Sequence, residues 1–206
     1  MTRGARHSTR IAPLLAAMLL AGCSLLSAPE VTPTRYFVLT SDRSLGIGTP
    51  EQDSISLGLG PFTMPSYLGR PQMVTRKDPN QIVFSQYNRW AEPVDEGFQR
   101  VVAENVGRVV GTNEIVLFPW YQIPLEYQVK GEVLRFEAND DGEVVLEAIW
   151  TVVRLADERY LTTRHTDLHR DADPSDPDEI AAGLSALVSE FGRQIGDAVL
   201  ELEGRR

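Results

Sequence analysis

Two long runs of strand-forming residues, Tyr127 to Ala138 and Glu143 to Leu155, flank Asn139-Asp140-Asp141-Gly142. An Asp-Gly pair suits the positive φ angles of a tight hairpin, so the two runs are predicted to pair antiparallel. The second run is apolar on both faces, with Val145, Ile149 and Val153 on one and Val144, Leu146, Trp150 and Val152 on the other. A strand with water on one face alternates apolar and polar residues. One that is apolar on both is predicted to lie centrally in a sheet, and the rest of the chain must be arranged around it.

Further strands are predicted at Tyr36 to Leu39 and at Ile55 to Leu59, the latter ended by Pro61 and Pro65. Gln72 to Arg76 and Gln81 to Tyr87 form a hairpin across Asp78-Pro79-Asn80. Ile115 to Phe118 reads as a short buried strand, and Tyr160 to Leu168 continues the meander. Ser41 to Asp53, with Gly46, Gly48 and Pro50, reads as a loop. Phe98, Val101, Val102, Val106, Val109 and Val110 recur at helical spacing before Gly111, which predicts a one-faced helix from Val94. A second begins at Asp176-Pro177-Asp178-Glu179, where a capping residue precedes Pro at the first helical position and Glu follows three residues after the cap. Its apolar stripe is Ile180, Leu184, Leu187, Val188, Phe191, Ile195, Val199 and Leu202. The expected architecture is α+β: a mixed, mostly antiparallel sheet covered by two long amphipathic helices, as a two-layer sandwich in a single domain over residues 35–206.

Residues 1–22 have the form of a secretion signal, with Arg3, Arg6 and Arg10, an apolar run from Ile11 to Ala21, and small residues at its end. That run falls short of the about 20 residues a bilayer-spanning helix needs. Leu20-Ala21-Gly22-Cys23 resembles the lipobox of bacterial lipoproteins. The resemblance implies cleavage between Gly22 and Cys23 and a diacylglycerol and an N-acyl chain such as palmitate on Cys23, enough hydrocarbon for stable anchoring. Residues 23–34, with Pro29 and Pro33, read as a lipidated tether reaching about 36 Å at most. Ser24 after the cysteine is similar to the outer-membrane class of such proteins, which implies a protein on the periplasmic face of the outer membrane.

Charge and composition exclude several functions. Removing three of the 20 basic residues with the leader leaves 17 against 29 acidic, a net charge of −12, which repels nucleic acid. Cys23 is the single cysteine, so acylation leaves no thiol for a disulfide, a metal site or a nucleophile. His165, Asp167, His169 and Asp171 alternate on one side of a strand, but the two histidines would stand about 13 Å apart, too far to share one zinc. They read as a solvated face. No phosphate loop follows Gly46-Ile47-Gly48 or Leu57-Gly58-Leu59-Gly60, and no Gly-x-Ser-x-Gly elbow is present. No catalytic residue, metal or soluble cofactor is expected. Arg89-Trp90-Ala91-Glu92-Pro93 and Phe118-Pro119-Trp120 put tryptophans at element ends, and two readings stand: a partner-binding surface, or rings that cap the core while Arg89 and Glu92 pair locally.

Three segments carry a resemblance to a known family. They are Leu59-Gly60-Pro61 with Pro65-Ser66-Tyr67-Leu68-Gly69-Arg70-Pro71-Gln72-Met73-Val74-Thr75-Arg76; Arg89-Trp90-Ala91-Glu92-Pro93 leading to Arg100 and Asn105; and Pro119-Trp120 followed by Val133-Leu134-Arg135-Phe136 and Gly142 to Trp150. Together with the lipobox they resemble the PqiC (YmbA) family of intermembrane-transport lipoproteins, the ABC-type transport auxiliary lipoproteins, over about residues 36–200. Gly69 departs from the Asp expected before Arg-Pro. The resemblance implies a non-enzymatic partner of an MCE-domain, PqiB-like lipid-transfer protein at the outer membrane; a homo-oligomeric ring would suit such a role, since a conduit is symmetric and a closed ring needs only one repeated interface. Tyr67, Arg70, Arg89, Trp90, Glu92 and Trp120 become the candidate partner interface. The alternative is a structural or assembly lipoprotein that stabilises an envelope complex without moving lipid.

Overall fold

The computed structural model describes residues 32–45 and 55–204. The leader, the Gly22/Cys23 processing site, Ser24, most of the tether and the part of the predicted loop over residues 46–53 lie outside the described residues. Eight strands are described: β1 Arg35–Phe37, β2 Leu57–Thr63, β3 Gln72–Asp78, β4 Gln81–Trp90, β5 Ile115–Leu117, β6 Tyr127–Asn139, β7 Glu143–Arg154 and β8 Arg159–Asp171. Two helices accompany them, α1 Val94–Val110 and α2 Pro177–Leu202.

The predicted hairpin is the spine of the sheet. β6 and β7 pair antiparallel along their whole length, from Tyr127 opposite Arg154 to Ala138 opposite Val144, and β8 pairs antiparallel with the other edge of β7. The second edge of β6 is shared. β2 runs parallel to its first half and β3 parallel to its end, with β5 beyond β2 and β4 then β1 beyond β3. The antiparallel ladders are the long ones and the parallel pairs are short, so the sheet is mixed and mostly antiparallel as expected.

Both helices cover one face. Val144, Leu146, Ala148, Trp150 and Val152 of β7 point into the core beneath them. Phe191 of α2 stands at its centre, with Phe62, Phe98 and Trp150 ring centroids at 5.8, 5.8 and 6.2 Å. The Trp150 indole N–H donates to Thr166 Oγ1 (2.9 Å), whose hydroxyl donates to Gln194 Oε1 (2.8 Å), tying β7, β8 and α2 together. The helices approach closely because α2 presents glycine: a Cβ on Gly192 would stand 2.7 Å from that of Asn105 in α1. Gly111 ends α1 at φ 77°, its N–H bonded to Gly107 O at 2.9 Å, the left-handed cap glycine supplies without steric cost.

Four expectations need correction. β2 does not end at Pro61 but continues to Thr63; its register with β6 shifts between Leu59 and Phe62, so the proline, which has no N–H to donate, falls in the irregularity. β5 is half-exposed rather than buried, because it is the outermost strand beyond β2. β1 stops at Phe37, after which the chain leaves the sheet for the helices. Asp176 caps α2 by accepting from Asp178 N at 2.9 Å, whereas Glu179 accepts from Asp173 N instead of the cap residue's own N–H, which bonds Asp173 O. β7 lies between two strands as expected, yet on its helix-free face Val145 and Val153 are buried by their neighbours while Ile149 stays exposed.

Candidate interaction surface

Five of the six candidate interface residues converge where the β2–β3 crossover meets the β4–α1 junction. The Trp90 amide donates to Pro71 O (2.7 Å), and Arg89 faces Gln72 across the β3–β4 ladder. Trp90 is only 7% exposed and sits in the core beside Phe37, its register partner on β1. Glu92 pairs with Arg100 at 2.5 Å, and Arg100 also reaches Leu39 O at 3.4 Å. The local-pairing reading therefore describes Glu92, although its partner is Arg100 and not Arg89, and the core-capping reading describes Trp90. Arg70 is exposed and lies over the Phe84 ring, 4.7 Å from its centroid. The Cβ of a residue replacing the neighbouring Gly69 would meet nothing within 4 Å, so the departure at that position changes no packing.

Tyr67 has a partner that no sequence spacing marks. Glu137 on β6 is a buried carboxylate, held by the Arg76 guanidinium, by Arg135 Nε at 3.4 Å and by the Tyr67 hydroxyl, which donates at 2.6 Å. Arg76 further donates to Pro79 O (3.1 Å) and Arg135 to Asn139 Oδ1 (2.9 Å). A buried charge is tolerated only when paired and hydrogen-bonded, and this one has both. Burial first, and then the bond to Glu137, push the Tyr67 hydroxyl up to about 12. The cluster fixes the Met64–Pro71 crossover beside the stretch of β6 that lies between its β2 and β3 pairings.

A second polar group explains Asn105, Ser185 and Ser189, buried within otherwise apolar helical stripes. Thr40 N donates to Ser185 Oγ and Asp42 N to both Ser189 Oγ and Asn105 Oδ1, each at 3.2 Å. These bonds seat the segment after β1 on the two helices. A groove of about 530 Å³ runs between this segment, β8 and α2. Of the charged groups along it, Asp42 is engaged with Ser44, His169 with Glu143 and Asp167, and Glu190 with Arg193, while Arg170 lines it from β8. His165 lies 3.1 Å from Glu147 of β7 on the exposed, helix-free face, and His169 hydrogen-bonds Glu143 of β7 and Asp167 of its own strand, so these histidines make surface hydrogen bonds.

Trp120 belongs to another surface. It lies on Gly58, where a Cβ would stand 2.5 Å from the indole, and meets Phe118 edge to face at 5.7 Å. Around it, Leu117, Phe118, Tyr121 and Ile123 are exposed, Tyr121 by 78%. Sequence reasoning singled out Phe118 and Trp120 but passed over Tyr121 and Ile123. The signal was available: no charged residue occurs between Glu114 and Glu126.

The family model of the ABC-type transport auxiliary lipoprotein component matches residues 37–196. The chain belongs to this family. The match runs from the last residue of β1 through most of α2 and includes the crossover, the β4–α1 junction and the aromatic loop. Two solved structures have the same fold. One, an uncharacterized protein, is 17% identical with a TM-score of 0.67, covering 82% of this chain and 99% of its own. The other, protein XCC0632 from Xanthomonas campestris, is 15% identical with a TM-score of 0.68, covering 84% of this chain and 98% of its own. No curated protein matches the chain. The family makes this transport auxiliary lipoprotein an envelope protein, and among the described residues no helix is long and apolar enough to cross a membrane.

Proposed function

We propose that this lipoprotein is an outer-membrane-anchored, periplasmic, non-enzymatic component of an MCE-type, Pqi-like system that moves phospholipid between the inner and outer membranes. The observation that carries the reading is the family match over residues 37–196, joined to a basic-then-apolar leader that ends at Cys23. In this reading the signal is cut after Gly22, Cys23 carries the diacylglycerol and N-acyl chains, Ser24 directs the protein to the outer membrane, and residues 23–34 tether the domain to it.

The partner is a PqiB-like MCE-domain protein. Arg70, with its guanidinium on an exposed loop that Tyr67 and Glu137 hold rigid, is the best placed of the six candidates to meet it, since rigid positioning lowers the entropy lost on binding. Trp90 holds the end of that loop through its amide bond to Pro71 O, and Glu92 pairs with Arg100 of α1. A closed ring of copies would repeat one interface around the end of a conduit. Deleting the gene and following labelled phospholipid between the two membranes tests the proposal: exchange is expected to slow. Unchanged exchange together with loss of an envelope complex would give the protein the structural, assembly role instead.

A further inference from the structure

The aromatic segment that follows β5 has no function in the reading above. Between Glu114 and Glu126 the chain carries no charge, and its polar side-chain groups are the Gln122 amide and the tips of Trp120 and Tyr121. Burial would explain such a composition, yet Phe118 is 48% exposed, Tyr121 78% and Ile123 45%. Trp120 is fixed on Gly58, so the segment is seated on the sheet at its middle and presents its apolar tip outward. Exposed apolar groups gathered in this way mark a contact with something apolar.

We infer that this loop inserts into the interfacial region of a lipid bilayer, an inference that rests on the reading of Cys23 as the lipid anchor. Three features select a bilayer as the occupant. Trp and Tyr, with apolar rings and polar tips, favour the boundary between headgroups and hydrocarbon. The chain that precedes the described residues is short: from Cys23 to Thr34 it reaches about 36 Å at most, so an anchored domain stays within reach of the membrane surface. The acidic remainder of the domain gains nothing from anionic lipid, so an uncharged loop is the part suited to a zwitterionic surface.

The test uses the full acylated lipoprotein in phosphatidylcholine vesicles brominated on the acyl chains. Trp90 and Trp150 are buried, so contact quenching reports Trp120, and the Trp120→Phe variant checks the assignment. Quenching is expected in the wild type and is abolished in the Tyr121→Asp, Ile123→Asp double variant, which remains vesicle-bound through its lipid. A vesicle-bound wild type without quenching, or equal quenching in the double variant, overturns the inference. A double variant whose oligomeric state changes while wild-type fluorescence stays unquenched assigns the loop to a second copy instead. Labelling with palmitate, wild type against Cys23→Ala, scores the anchor separately: without label the anchor reading falls, and the same quenching measured on the unacylated chain with vesicles in excess still decides the loop.

Discussion

The Tyr67 hydroxyl donates to Glu137 Oε2 at 2.6 Å, joining a crossover loop to a strand seventy residues further along the chain. Glu137 is the buried charge among the described residues, and Arg76 and Arg135 complete its shell. Replacing Glu137 by Ala leaves the partly exposed Arg76 and Arg135 guanidinium groups without their carboxylate, and because water reaches both, a loss of about 1–3 kcal/mol is expected in urea unfolding. Tyr67→Phe removes one hydrogen bond to a charged group and is expected to cost about 1.5–3 kcal/mol.

Alkaline stability follows from two tyrosines. Burial and then a bond to Glu137 raise Tyr67 from 10.0 to about 12, and burial and then a bond to Glu203 raise Tyr127 likewise. Both values lie above the unfolded one, so the fold favours the neutral phenols. Their contribution is complete below about pH 10 and is lost as the pH rises toward about 12. Thermal unfolding measured across this window should show that decline, and Phe at both positions should flatten it.

Trp90 and Trp120 are expected to separate in a stability assay. Trp90→Ala empties a site in the core and should cost about 3–5 kcal/mol. Trp120→Ala, on a half-exposed ring, should cost clearly less. Equal losses would place Trp120 in the core as well and remove it from any binding surface.

Gly192→Ala tests the helix contact. The new methyl would stand 2.7 Å from Asn105 Cβ and 3.3 Å from Val102 O, so α1 and α2 must separate. Overpacking of this kind costs about 1–3 kcal/mol, readable as a lower unfolding midpoint.

Local chemistry made much of this fold legible. The Asp141-Gly142 turn, the Gly111 stop and the Asp176-Pro177 start each act within a few residues, and the elements they bound lie where the periodicity places them. What was missed depends on distant partners. Nothing near Pro61 reveals that β2 continues past it, since the permitting register shift arises from pairing with β6. The parallel pairings of β2 and β3 with one edge of β6 likewise have no local signal. Of the candidate site, the resemblance marked Tyr67 and Arg70, but the buried carboxylate that positions Tyr67 lay in a strand whose alternation looked ordinary. Trp90 and Trp120 looked alike in sequence, each within three residues of a proline at an element end, and only their packing distinguishes them.

The measurement that bears most directly on the proposed function is a pull-down from envelope membranes with the full lipoprotein as bait, followed by mass spectrometry after stringent washing. Recovery of an MCE-domain protein is the predicted result, with Arg70→Glu reducing it while stability is unchanged. Recovery of outer-membrane assembly proteins alone, with no MCE-domain protein, would contradict the transport role.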